Sequence, residues 1–323
     1  MKVRPKVYFT KVITPQKLIE MFEILKKPLK GKVAVKVHSG EEGNKNFLRP
    51  EFLKPMVEHV KGTIVECNTA YPGARNTTEK HKKLMKEHAW SEHFKVDILD
   101  ADADITLEIP DGLLIKKNFI GKNTLKYDSC LVISHFKGHM MGGYGGALKQ
   151  LSIGFGSSAG KSYQHSGGKT ANQNVVWSNC CTDKEFKEAM ADAAMSIVKL
   201  FKGNMAFINM MVNISLDCDC DGKARPPCMK DIGILSSTDP VALDKACLDL
   251  IYNSDDPGKK ELIERIEGKL GPHIIESSVK LGFGSDDYEL INVDDIQNYM
   301  KIFDCTHGID KNSEINNDNS SSN

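Results

Sequence analysis

The chain has 323 residues, 40% apolar and 27% charged, enough to bury a large core in one domain or two lobes. Lysine plus arginine and aspartate plus glutamate both number 43, so no net field draws the chain to nucleic acid or anionic lipid. No run approaches ~18 apolar residues, and the start MKVRPKVYFTKV lacks a signal-like apolar core, so a cytoplasmic protein with no membrane span is expected.

In chain order, KVYFT (6–10), VAVKVH (33–38), TIVEC (63–67) and CLVISH (130–135) read as strands. Amphipathic PQKLIEMFEILKK, RPEFLKPMVEHV and TTEKHKKLMKEHAW lie between them and read as helices. This alternation predicts an α/β fold with a mainly parallel sheet flanked by helices. In such sheets ligands gather beyond the carboxyl ends of the strands. Three unusual clusters follow strands directly: 38–43, 68–75 and 135–149, all of which would reach one rim. Further on, 184–202 reads as a helix and FINMMVNISL as a buried strand. DPVALDKACLDLIY opens a helix with Asp239 as cap and Pro240 in the first turn. The end, 306–323, is rich in Asn, Ser and Asp without apolar periodicity, and a disordered tail is expected there.

Three patterns resemble known motifs and fail. Ser157 to Ser162 looks like the end of a P-loop, but Phe155 stands where glycine is required. Gly154 to Ala159 fits a loose dinucleotide fingerprint with no acidic residue closing the unit. Asp217 to Gly222 copies half a calcium loop, with Cys228 in place of the bidentate glutamate.

The segment 134–166 concentrates histidines, lysines and glycines. His135 and His139 are four apart, so on a helical turn they share a face and can chelate a metal. Gly143, Gly145 and Gly146 let the backbone approach a bound group, and their N–H groups can cradle an anion. Lys149 follows, placed to neutralise a phosphate or to act as a nucleophilic amine. Lys161 and His165 complete the segment. The plainer alternative is a tight turn with surface histidines and lysines.

Nine cysteines without a signal peptide read as buried thiols or metal ligands rather than disulfides. Cys67, Cys130, Cys247 and Cys305 stand singly and read as core. Cys218 and Cys220 are two apart and can reach one soft metal. Cys228 can complete three-point ligation of zinc or an iron–sulfur cluster. Simple packing is the alternative.

The runs KVHSGEEGNKNFLRP (36–50), SHFKGHMMGGYGGALK (134–149), GKSYQHSGGK (160–169), CDCDGKARPPCMKDIGILSSTDPVALDKA (218–246) and GPHIIESSVKLGFGSDDYELI (271–291) resemble the domain of unknown function 362 family. Its members are often labelled uncharacterised iron–sulfur-centre proteins. The resemblance implies a family domain over 1–305, as one body or as lobes of about 1–170 and 171–305. The CxxCxxCxxxCP insert of many relatives is absent, leaving GGKTANQNVVWSNCCTDKEF in its place.

A more distant resemblance is to nickel-dependent lactate racemases, whose HxxAGYSGGRK segment is similar to His139–Lys149, with His165 following 16 positions later. That resemblance implies Lys149 as anchor of a nickel–pincer nucleotide, His165 as nickel ligand and His139 in proton transfer. Asn46 and Arg49-Pro50 are similar to an Asp-x-x-Arg-Pro element serving the cofactor and substrate.

Two functions are therefore expected. One is a metal- or metallocofactor-dependent enzyme acting on a small anionic substrate, with His135 and His139 as bases. Lys36, Glu41, Asn46 and Arg49 would line the rim, and a racemase-like transfer at a 2-hydroxy acid is its sharpest form. The other is a redox or accessory metal-binding protein using Cys218, Cys220 and Cys228. Redox partners or cofactor-assembly proteins would serve either.

Overall fold

The computed structural model describes residues 3–295, so the expected tail over 306–323 and Cys305 lie outside the described residues. The first half of the chain alternates strand and helix. β1 (Lys6–Thr10), α1 (Pro15–Glu23), β2 (Val33–Lys36), α2 (Pro50–His59), β3 (Thr63–Glu66), α3 (Thr78–Glu87), α4 (Trp90–His93) and β4 (Val96–Ile98) follow in order. A hairpin of β5 (Asp104–Glu108) and β6 (Lys117–Gly121) leads to the long strand β7 (Ser129–His135). Next comes a small hairpin, β8 (Lys137–His139) with β9 (Gly143–Gly145), and then α5 (Ala147–Leu151) and α6 (Ser158–His165). The remainder is α7 (Asp183–Leu200), β10 (Met205–Met211), β11 (Gly233–Ser237), α8 (Pro240–Tyr252), α9 (Lys259–Gly268), α10 (His273–Lys280) and β12 (Glu289–Asn292).

Eight strands form one sheet in the order β12-β1-β11-β10-β7-β2-β3-β4, in which only β11 runs against its neighbours. The fold is thus α/β with a mainly parallel sheet. Strand β7 shows why the central strands read as unbroken apolar runs: every residue in it is buried. Cys130 and Val132 point to one face, where α5, α7 and α8 contribute Leu148, Phe186, Met190 and Leu243. Leu131 and Ile133 point to the other, against Leu18 and Met21 of α1 and Leu53 and Met56 of α2.

Helix starts follow local chemistry. Thr182 and Glu185 form a reciprocal capping box on α7. Asp239 accepts from Val241 N and Ala242 N with Pro240 in the first turn, as the sequence indicates. No helix among the described residues is long and apolar enough to cross a membrane.

Because β2, β3, β7 and β10 are parallel neighbours, their carboxyl ends open on one rim. The three clusters expected there do meet, and the stretch after β10 joins them as a fourth.

Candidate metal centre and its cavity

A cavity of about 600 Å³ opens at this rim. Its wall takes His38 from beyond β2, Glu66 to Arg75 from β3 onward, and His139 to Gly154 from the hairpin and α5. Lys161 and His165 come from α6, and Cys220 to Gly222 from beyond β10. The loop after β10 is seated by close approach: Gly138 N donates to Ser215 O, and a Cβ on Gly138 would lie 2.3 Å from Leu216 O. No other residue fits there.

The Cys-Asp-Cys stretch alternates. Asp219 turns inward and is fully buried, accepting from His135 Nδ1 at 2.8 Å and pairing with Lys137 Nζ at 2.7 Å. Burial opposes its charge, yet the neighbouring His135 and Lys137 hold its carboxyl well below the usual range. Cys220 lines the cavity and Cys218 is buried beside it. Their sulfurs and a ring nitrogen of His139 lie within 4.8 Å of one another, so this group can hold a metal ion.

The two thiols differ. A hydrogen bond from Cys220 stabilises a Cys218 thiolate, and despite the cost of burial the Lys149 and Lys137 charges also favour it, so its pKa falls well below that of a free thiol. Lys149 Nζ lies 3.8 Å from Cys218 Sγ. The same hydrogen bond and burial push the Cys220 thiol up.

His139 Nδ1 accepts from Gly142 N at 2.7 Å and Met141 N at 3.1 Å. A neutral ring so held carries its proton on Nε2, which faces Cys220 Sγ at 3.8 Å. Burial and the Lys149 charge lower the His139 pKa, favouring that neutral form.

The cavity floor is an ion pair. Lys36 Nζ lies 2.6 Å from Glu66 Oε2 and also donates to Val37 O and to Gln150 Oε1. Although burial would raise Glu66, Lys36 and its other cationic neighbours hold it well below the ordinary range. Arg75 is likewise matched, with Nε 3.2 Å from Glu41 Oε2 and Nη2 2.7 Å from Tyr71 Oη.

Several sequence-based assignments need correction. His135 does not share a helical face with His139: the two end β7 and β8, and both His135 nitrogens face acceptors, Asp219 and Val212 O. His135 is buried behind the cavity wall rather than on it. Cys228 stands outside the metal-holding group, its half-buried thiol turned to Ile214 O at 3.4 Å. Asn46 donates to Arg225 O, and the Arg49 guanidinium lies 4.3 Å over the Phe47 ring in a separate surface groove. Phe47 and Leu48 are buried in the core beside α2, which turns Arg49 outward.

The glycines do not cradle an external group either. Gly143, at φ +82°, packs on Gly271, and Gly145 sits against the stems of Lys149 and Lys137. Gly146 lies against Asp244, whose carboxylate takes the N–H groups of Ala147 at 2.8 Å and Leu148 at 3.0 Å. The anion at that helix start is internal.

Lys36, Glu41, His139, Lys149, Lys161, His165, Cys218 and Cys220 are brought around or beside the cavity. His165 is on its wall, stacked on Phe186 with ring centroids 4.5 Å apart, and is not part of the converging donor group. Sequence reasoning missed Glu66, Lys137, Gln150 and Asp219. The signal for Glu66 was a lone acid ending an apolar strand beside one that ends in Lys36. For Asp219 it was a carboxylate in alternation with two cysteines.

A family described as a domain of unknown function (DUF362) matches residues 33–249, and the chain belongs to it. No curated protein matches. Among solved structures the chain is similar to the lactate racemase apoprotein from Thermoanaerobacterium thermosaccharolyticum. That match has 13% identity and a TM-score of 0.42, over 76% of this chain and 56% of that one. A Thermotoga maritima protein from structural genomics is similar at 11% identity and a TM-score of 0.39, over 83% of this chain and 59% of that one. The chain thus spans less than two thirds of either structure's length.

Proposed function

We propose that this member of the domain of unknown function 362 family is a metal-dependent enzyme acting on a small organic anion. The observation that carries the reading is the convergence of His139, Cys218 and Cys220 within 4.8 Å beside a cavity of about 600 Å³ that Lys149 and Lys161 also line. Two thiolates and an imidazole suit a soft or borderline divalent ion such as zinc or nickel. These three side chains would hold the ion and leave it open to substrate, where it would supply Lewis-acid polarisation of an oxygen.

The chain's own residues do the rest. Lys149 stabilises the Cys218 thiolate and presents its ammonium to an incoming anion. Asp219, clamped by His135 and Lys137, fixes the direction of the two cysteines. The Lys36–Glu66 pair, fully buried, holds the floor and with it Gln150.

A nickel–pincer nucleotide would use Lys149 and His165. Both line the cavity, but the Lys149 ammonium is turned to Cys218 and His165 stands outside the converging donors. An ion held directly by the protein fits this donor set better, and no step is routed through the nucleotide. A four-thiolate iron–sulfur cluster fits less well, since only Cys218 and Cys220 converge among the described residues. The sequence resemblance to lactate racemases makes interconversion of 2-hydroxy acid enantiomers the first activity to assay.

Elemental analysis of full-length protein, purified without oxygen from its native host, tests the reading. About one zinc or nickel per chain is expected, lost in the Cys218→Ser/Cys220→Ser variant. Iron with sulfide would move the function to a redox or accessory role. Absence of metal in the wild type would remove the proposal.

A further inference from the structure

Four cationic side chains line the cavity, and three of them have counter-charges. Lys36 meets Glu66, Arg75 meets Glu41, and Lys149 meets the Cys218 sulfur. Lys161 differs. It is 8% exposed, and its Nζ donates only to Gly156 O, at 2.6 Å. No carboxylate among the described residues lies within ion-pair distance of it. An ammonium has three donors, so two are unused, and a buried charge without a counter-ion is costly.

Two neighbours on the same wall share this condition. His165 is 8% exposed, and its Nδ1 is buried with no hydrogen-bond partner. It follows Lys161 by four positions on α6, which puts both on one helix face. Gln150 is 7% exposed and lines the same cavity; its Oε1 accepts from Lys36, which leaves its Nε2 as a donor to the cavity. Native interiors rarely leave a buried atom such as His165 Nδ1 unmatched.

We propose that Lys161, Gln150 and His165 form a preformed subsite for the oxyanion end of the substrate, a carboxylate or a phosphoryl group. The inference rests on the proposed function only for the word substrate, because none of Lys161, Gln150 and His165 belongs to the converging donor group. Between the two ends the wall is apolar, with Met141 and Ile153, and Trp177 stands over His165 at 5.3 Å between ring centroids. The substrate class is therefore an organic anion with a short apolar body, held by its charged end at Lys161 while its other end faces the cysteines.

Trp177 supplies the readout, since the other tryptophan, Trp90, is fully buried and bonded to Ser39 O. Full-length metal-free protein is titrated by tryptophan fluorescence with inorganic phosphate and, separately, with butyrate. Saturable quenching by at least one is expected, and which one binds tells phosphoryl from carboxylate. Lys161→Met should weaken that affinity about tenfold or more, as loss of a charge-assisted hydrogen bond does, while Lys161→Arg stays within a few fold of wild type. Should Lys161→Met fail to fold, Gln150→Glu reads the same contact by repulsion and should weaken it likewise. Because the titration uses metal-free protein, a failed metal centre and a failed subsite give different results. No saturable response in wild type, or unchanged affinity in folded Lys161→Met, overturns the subsite.

Discussion

Cys220 Sγ and His139 Nε2 face each other at 3.8 Å although 81 positions separate them in the chain. The contact exists because β8 follows β7 directly while Cys220 follows β10, and β7 and β10 are parallel neighbours. Each donor is held from behind: His139 by two backbone N–H groups, and the cysteines by the buried Asp219 between them.

Metal ligation through His139 Nε2 moves the ring proton to Nδ1, which must then release the Met141 and Gly142 N–H groups. Hydrogen exchange at these two amides should therefore quicken when zinc is added. Unchanged protection in protein shown to hold one zinc would mean that His139 is not a ligand.

Loss of the Lys149 charge should make the Cys218 thiolate harder to form, because its low pKa depends in part on that ammonium. In metal-free Lys149→Met, the ultraviolet thiolate absorbance should titrate at higher pH than in wild type. A midpoint that does not move would show that the Cys220 hydrogen bond alone sustains the thiolate.

Asp219→Asn keeps the shape and removes the charge that His135 and Lys137 share. Stranding the buried Lys137 cation in this way costs about 3–5 kcal/mol, to be read from denaturant unfolding. A loss below ~1 kcal/mol would indicate that water reaches the clamp.

His81 and His165 are both pushed down to about 3, chiefly by burial. Unfolded histidine takes up its proton near pH ~6.5, so between that value and about 3 the unfolded state binds more protons than the folded one. The stability these residues supply is complete above pH ~6.5 and is lost as pH falls toward 3. Thermal midpoints should decline steadily across that window, and a flat profile from pH 6.5 to 5 would contradict both depressed values.

The sheet was legible because its central strands are buried on both faces and so read as short apolar runs between amphipathic helices. The runs at 6–10 and 130–135 became β1 and β7 almost residue for residue. Carboxyl-end geometry also led to the rim and to Lys149 on it, whereas Cys218 and Cys220 were singled out by their spacing alone and the structure adds their loop to that rim. The errors came from assigning chemistry by residue type before its partners were visible. His135 looked free, and Asp219 occupies it; the glycine loop looked like an anion cradle, and Asp244 fills it. Both carboxylates come from far along the chain, and no local spacing reveals which buried acid will reach which donor. Arg49 failed differently: its neighbours Phe47 and Leu48 were the stronger signal, and their burial sets its direction.

The order in which the donors leave the ribosome bears on how the protein could acquire an ion. A nascent chain extended to residue 200 already carries His139, Lys149 and Lys161 but neither Cys218 nor Cys220. The thiols can reach the histidine only once β10 has added beside β7 and the following loop has settled against Gly138. Capture of the proposed ion thus belongs to chains that extend past β10, since shorter fragments lack both Cys218 and Cys220.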